Sequence, residues 1–252
     1  MKRIFIKVLR IIGITCLFLV AGAYFALSSM IVEQKRDETI CQSLKIQIID
    51  SVNAQLVLTE DVYAILEKKG IMLAGEKLNQ INLYQLEQLI AEEEGVSFCE
   101  VYTRLNGVLT IRIAQRLPLL RLEAGRRSYY LDNTGALFPT VPFRTAYVPV
   151  VSGDIPVENE EWIAQLHRFG SFIRNNRFWN AQIEQLYVHN LNNIEIIQRA
   201  GTYTTVMLGT LDNFETKLQK LYTFYLTVST SQGWDQYTYI DLRYQNQIVC
   251  RK

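Results

Sequence analysis

Histidine and cysteine are scarce in this chain of 252 residues, which contains two histidines and four cysteines. Neither His167 nor His189 has a cysteine, a histidine or an acidic residue at the spacing of a metal site. The sequence also lacks the G-x-S-x-G, H-E-x-x-H and phosphate-loop motifs. Because an enzyme needs a nucleophile, a base or a metal, the sequence predicts a protein without catalytic activity, cofactor, metal or small-molecule substrate.

The four cysteines are too few for a disulfide framework. Cys16 lies inside a long apolar run, which leaves Cys41, Cys99 and Cys250, an odd number. At most one bridge can form among these three residues, and we predict free, buried or weakly reactive thiols.

A strong net charge is also absent, since 26 lysines and arginines face 25 aspartates and glutamates, for a formal charge of +1. Nucleic acid is therefore not a predicted partner. The pair Arg126-Arg127 is a local concentration of positive charge in a predicted hairpin turn. This pair could contact lipid headgroups or a glycan, or it could be an ordinary solvated tip.

Residues 11–32 form a run without a charge, IIGITCLFLVAGAYFALSSMIV. As a helix the run would span roughly 33 Å, enough for a hydrocarbon core of about 30 Å. The preceding residues 1–10 are basic and contain no acid, so the positive-inside rule predicts a cytoplasmic tail there and an extracytoplasmic remainder. A cleaved signal peptide, cut near Ala21-Gly22-Ala23, is the alternative. Residues 33–43 are predicted to be a stalk.

Residues 44–118 carry the pattern of a small α+β domain. Leu44–Ile49 alternates between apolar and polar residues, as expected of a strand. Two helices follow, with Thr59 and Asn82 as their predicted N-caps. Asn106-Gly107 then separates two further strands and predicts a two-residue turn with positive φ at both positions. The order strand, helix, helix, strand, strand resembles that of a POTRA domain, a module that docks other proteins, often through a sheet edge.

Residues 119–252 predict a second domain, a mostly antiparallel sheet with two helices. The helices are expected over residues 158–177 and from Asp212 onwards, where apolar residues recur at helical spacing. The predicted fold class is thus α+β: a single N-terminal transmembrane helix, a POTRA-like βααββ domain and a C-terminal β domain.

Several motifs stand in one order along the chain: R-L-P-L-L-R-L, Y-Y-L-D-N-T-G-A-L-F-P, V-M-L-G, K-L-Q-K-L and Y-I-D-L-R-Y-Q-N-Q-I-V. Together with the apolar run and the POTRA-like pattern, they are similar to the bacterial cell-division family FtsQ, also called DivIB. The resemblance implies a non-enzymatic scaffold of the divisome that supports septal peptidoglycan synthesis. It also implies FtsB/DivIC-like and FtsL-like partners, and a single-pass type II location in the cytoplasmic (inner) membrane at the septum. The alternative is a POTRA-containing component of protein secretion or outer-membrane assembly.

The C-terminal segment is rich in aromatic residues, including Trp234, and is predicted to form a hairpin whose last strand lies at a sheet edge. An uncovered edge offers unpaired N–H and C=O groups to a partner strand. Tyrosine and tryptophan are also common at interface centres. Matching the motif Y-I-D-L-R-Y residue by residue, the resemblance assigns Arg243, Tyr244 and Asn246 to the FtsB-like partner. The predicted partner-binding residues are Tyr237, Tyr239, Arg243, Tyr244, Asn246, Ile248 and Val249.

Overall fold

The computed structural model describes residues 16–29, 39–49, 55–104, 106–199, 204–229 and 237–252. These residues divide into two compact units. The first holds the described residues up to Ile49, then 59–92 and 98–113; the second holds 55–58, 93–97 and the described residues from 114 onwards. The predicted domain limits of 44–118 and 119–252 stay a prediction about separable folding. The predicted tail 1–10 and most of the stalk lie outside the described residues.

Residues 16–29 form helix α1. Its large apolar side chains are mostly exposed, namely Leu17, Phe18, Leu19, Val20, Tyr24, Phe25 and Leu27. In the part of the chain that the structure describes, no helix has both the length and the apolar character needed to cross a membrane. The predicted transmembrane segment 11–32 extends beyond residues 16–29 on both sides, so it stays a prediction.

Helices and strands follow one another over residues 43–115 in the order that the sequence predicts. The elements are β1 (Ser43–Ile49), α2 (Thr59–Lys68), α3 (Leu83–Ala91), β2 (Val96–Thr103) and β3 (Val108–Gln115), and the strand order is β1-β3-β2. Local signals place the helices. The Asn82 side chain accepts a hydrogen bond from the Gln85 N–H and so caps α3, and Gly70 follows α2 with a φ of 67°.

The loop between β2 and β3 differs from the prediction. Of Asn106 and Gly107, only Gly107 has a positive φ, at 78°. Its N–H donates to the Arg104 oxygen (3.0 Å), while the Arg104 N–H donates to the Val108 oxygen (3.0 Å), which makes the loop wider than two residues. A Cβ at Gly107 would lie 2.7 Å from the Ile40 oxygen, so the close approach of residue 40 requires glycine here.

The described residues of the second unit form a sheet of nine strands. Its elements are β4 (Pro118–Ala124), β5 (Arg127–Asp132), β6 (Leu137–Pro139), β7 (Val150–Gly153), α4 (Glu160–Asn175), α5 (Arg177–Gln182), β8 (Ile183–Asn190), β9 (Asn193–Gln198), β10 (Thr205–Gly209), α6 (Phe214–Ser229), β11 (Tyr239–Asp241) and β12 (Val249–Arg251). The strand order is β12-β11-β10-β9-β8-β7-β4-β5-β6.

Most neighbouring strands are antiparallel, as predicted, but β7 runs parallel to both β4 and β8, and β11 runs parallel to β10. Parallel neighbours need long crossover connections. Helices α4 and α5 make the connection from β7 to β8, and α6 makes the one from β10 to β11. The prediction of two helices missed the short α5, whose N-cap is Asn176. Helix α6 begins at Phe214, two residues after the predicted start.

The helices of the second unit share one apolar core with the sheet. Phe169 of α4 packs edge-to-face on Phe214 of α6, with ring centroids 5.2 Å apart. The C-terminal strands reach the same core through Ile240 and Leu242, which are almost fully buried, and through the partly buried Ile248. Burial of these side chains holds the last two strands against the rest of the sheet.

Candidate partner-docking edge

Strand β12 is the outermost strand of the large sheet. It pairs antiparallel with β11, so that Tyr239 faces Arg251, Ile240 faces Cys250 and Asp241 faces Val249. Among the described residues no strand pairs with the other side of β12. The predicted last strand therefore lies at a sheet edge, and it is three residues long.

Hydrogen bonds to β10 show which backbone groups of β11 face which neighbour. The Thr205 N–H donates to the Thr238 oxygen (3.0 Å), and the Leu242 N–H donates to the Met207 oxygen (2.9 Å). Backbone groups of successive residues in a strand point to alternate sides. The N–H and C=O of Ile240, which lies between these two bonds, therefore also face β10.

The two remaining residues of β11, Tyr239 and Asp241, consequently face β12. Their register partners Arg251 and Val249 face back toward β11. Thr238 precedes β11 and departs from this alternation, because its oxygen faces β10 while its N–H donates to the Arg251 oxygen (2.9 Å), which agrees with an Arg251 that faces β11. Cys250 lies between these inward-facing residues, so its N–H and C=O point away from the sheet.

A buried carboxylate orders the end of β11. Asp241 is 3% exposed and accepts hydrogen bonds from Arg243 Nη2 (2.6 Å), Arg243 Nε (2.9 Å), the Arg243 N–H (3.1 Å) and the Tyr239 hydroxyl (3.2 Å). Burial raises the pKa of Asp241, but the hydrogen bonds and charge of Arg243 outweigh it and hold the pKa below its ordinary value. The same ion pair raises the pKa of Arg243.

Arg243 is further fixed by two contacts that sequence reasoning missed. Its Nη1 donates to the Asn193 side-chain oxygen (3.1 Å). A Cβ on Gly209, where φ is 81°, would lie 2.6 Å from Arg243 Cγ, so glycine makes room for the arginine side chain. The guanidinium is thus bound within the chain, although the side chain is still 42% exposed. Its charge-assisted bond to a partner stays a prediction. In the sequence, the aspartate two residues before Arg243 is the feature from which this ion pair could have been predicted.

The turn before β12 presents Tyr244, which is 47% exposed, and Asn246, which is also exposed. Lys220 of α6 donates from Nζ to the oxygens of Tyr244 (2.5 Å) and Gln245 (3.2 Å), and so ties the turn to the helix. A predicted contact tyrosine therefore lies on an anchored backbone in the turn that leads into β12, where it needs little ordering to bind a partner.

The other predicted partner residues are more enclosed. Tyr237 is half-buried and packs against Phe224, with ring centroids 5.6 Å apart. The guanidinium carbon of Arg251 lies over the Tyr239 ring, 5.1 Å from the ring centroid. Ile248 and Val249 are half-buried, and Trp234 lies outside the described residues. The structure thus brings the predicted residues to one edge, with Tyr244 and Asn246 the most accessible.

The histidines contact neighbouring polar groups, and the cysteines are unpaired. His167 Nε2 is 3.1 Å from the Asn133 oxygen, and His189 Nε2 is 3.0 Å from a carboxylate oxygen of Glu195. All four cysteines are free, and burial raises the pKa of the Cys99 thiol to about 11. A search of the described ranges finds no cluster of three or more His, Cys, Asp or Glu side chains that could hold a metal ion.

A small βααββ unit and a large mixed sheet with an open terminal edge define an α+β protein of the POTRA-bearing class. Residues 39–114 match the POTRA-like domain, and residues 117–251 match the family described as FtsQ/DivIB, C-terminal related. The second match covers more than half of the chain, which therefore belongs to the FtsQ/DivIB family. No curated protein matches the chain. Membership fits a role in cell division and suggests interaction with other divisome proteins.

Proposed function

We propose that this chain is a non-enzymatic scaffold of the bacterial divisome that links early and late division proteins. It docks FtsB/DivIC-like and FtsL-like membrane proteins outside the cytoplasm and so supports septal peptidoglycan synthesis. The observation that carries this proposal is the open side of β12, toward which the Cys250 backbone faces; the turn before this strand presents the exposed Tyr244.

The mode of docking that fits this edge is strand addition. A partner segment in extended conformation pairs with the N–H and C=O of Cys250, which gives affinity without demanding a particular partner sequence. Side chains that flank the edge supply specificity. In this arrangement Tyr244 offers apolar area and a hydroxyl, and Asn246 offers an amide.

Arg243 has a double role in this proposal. Its ion pair with the buried Asp241 fixes the backbone that leads into the Tyr244 turn. The exposed part of the guanidinium can still bind a carboxylate on the partner, because arginine carries five N–H donors. Tyr237 and Tyr239 act mainly by packing beneath this surface, while Ile248 and Val249 line it.

Tyr244→Ala should weaken binding of the FtsB/DivIC-like partner by about 2 kcal/mol, or about 30-fold in Kd. The side chain is half-exposed and makes no core contact, so the fold should be unaffected. Titration calorimetry with the partner's extracytoplasmic segment measures the effect. Tyr147→Ala is the control, since Tyr147 is 84% exposed on the same unit and precedes β7, which lies five strands from β12 in the sheet. Equal binding by both variants would remove Tyr244 from the interface.

Localisation gives a second test of the proposed function. A fluorescent protein that matures outside the cytoplasm, fused after Lys252, should give a band at midcell, because the predicted anchor 11–32 exports the C-terminus and the divisome retains it. The same fusion carrying Tyr244→Ala should still reach the membrane, but its fluorescence at midcell should be weaker. A uniform membrane signal from the unmodified chain would contradict a divisome role, and a dark fusion would contradict the topology.

A further inference from the structure

One turn of the second unit carries an aromatic residue in a backbone conformation that favours glycine. The Arg144 N–H donates to the Val141 oxygen (3.2 Å), which closes a β-turn with Pro142 and Phe143 at its centre. Phe143 has a φ of 59°, as the third position of a type II turn requires. A bulky residue with positive φ is a genuine outlier.

The ring of Phe143 takes no part in the core. Its relative exposure is 101%, the highest of the exposed large apolar residues in the described ranges. Glycine or asparagine would suit the turn better and would leave no apolar surface in water. Because folding gains nothing from this side chain, the strained and exposed ring points to a function.

Two arginines lie at the same end of the sheet as this ring. Arg126 and Arg127 form the exposed tip of the hairpin between β4 and β5. The Thr140 N–H donates to the Ser128 oxygen (3.1 Å), so the chain enters the Phe143 turn directly beside Arg127. We call the three residues Arg126, Arg127 and Phe143 the arginine–phenylalanine tip.

The nearest carboxylate on this hairpin does not neutralise the tip. Glu123 forms an ion pair with Arg121, with Nε and Oε1 2.6 Å apart, and accepts a hydrogen bond from the Ser128 hydroxyl, so its charge is already compensated. Both arginine side chains of the tip are exposed, and Arg127 keeps its positive charge while it hydrogen-bonds to the Tyr129 side chain. Phosphate groups are the anions that arginine binds best, through paired N–H donors.

We propose that the arginine–phenylalanine tip docks onto the surface of bilayers that contain anionic phospholipids. The two arginines bind headgroup phosphates, and the Phe143 ring enters the boundary between headgroups and acyl chains. The fully exposed Phe143 ring gains free energy only where hydrocarbon receives it. This docking is independent of the β12 edge, and it would orient the second unit relative to the membrane.

The test places a tryptophan at the tip of the full chain. Phe143→Trp, reconstituted into vesicles of brominated phosphatidylglycerol and phosphatidylcholine, should lose about half of the added tryptophan fluorescence relative to unbrominated vesicles. The unmodified chain gives the background of its own tryptophans. Tyr147→Trp, on the same unit, is the matched control and should not be quenched by the brominated lipid.

Two comparisons decide whether the charge acts as proposed. In vesicles of phosphatidylcholine alone, quenching of Phe143→Trp should disappear. It should also disappear in phosphatidylglycerol vesicles when Arg126→Gln and Arg127→Gln are added. Equal quenching with and without the anionic lipid, or none in either, would overturn the proposal. Protection of the tryptophan from acrylamide by soluble polyphosphate, without quenching by brominated lipid, would also overturn it and identify an anionic polymer as the ligand.

Discussion

Cys250→Pro should reduce binding of the FtsB/DivIC-like partner by about 3 kcal/mol, or more than about 100-fold in Kd, while the sheet stays folded. The Cys250 N–H points away from β11, so its loss costs no bond within the chain. A partner strand would lose that donor and would meet the proline ring as well. The free-energy estimate combines a lost hydrogen bond with a partner carbonyl left unsatisfied at the interface.

Three matched variants separate backbone pairing from other effects. Cys250→Ala keeps the N–H and should bind normally, which excludes the thiol as the contact. Val249→Pro removes an N–H that faces β11, and it should loosen β12 as well as weaken binding. Hydrogen exchange at β11 distinguishes these two results. If Cys250→Pro bound the partner as tightly as the unmodified chain, the interface would have to lie away from β12.

Gly153→Ala should destabilise the second unit by roughly 4 kcal/mol, the largest stability effect that we expect from removing a glycine. Gly153 ends β7 with a φ of 95°, and a Cβ there would overlap with the backbone oxygen of Val188 on β8. The added Cβ is fixed to the β7 backbone and the oxygen belongs to the β8 backbone. Both strands lie in the interior of the sheet, so neither atom can move aside without a large cost in free energy. Urea unfolding followed by the fluorescence of the buried Trp162 and Trp179 measures the change.

Gly125→Ala is the control for this effect. Gly125 also has a positive φ, 63°, but a Cβ there would have no atom within 4 Å. It should cost only the strain of the left-handed backbone, about 1 kcal/mol. The difference between the two variants isolates the overlap with Val188. Equal destabilisation would show that β7 and β8 can separate enough to admit a methyl group.

The sequence by itself determined the features that depend on neighbours along the chain. The N-cap Asn82 satisfies an N–H three residues away, so it marks the start of α3 without any knowledge of the fold. The order of elements in the βααββ unit likewise follows from alternating and helical spacings of apolar residues. Membership of the FtsQ/DivIB family was readable as well, because the motifs stand in a fixed order over most of the chain.

Only the tertiary structure decided the features that depend on partners far apart in sequence. The parallel pairing of β10 with β11 fixes which side each backbone group faces, and it thereby makes the Cys250 N–H the outward donor. The contact of Arg243 with Asn193 joins residues 50 positions apart. Neither propensity nor periodicity contains the register between distant strands, because register is set by packing of the whole core.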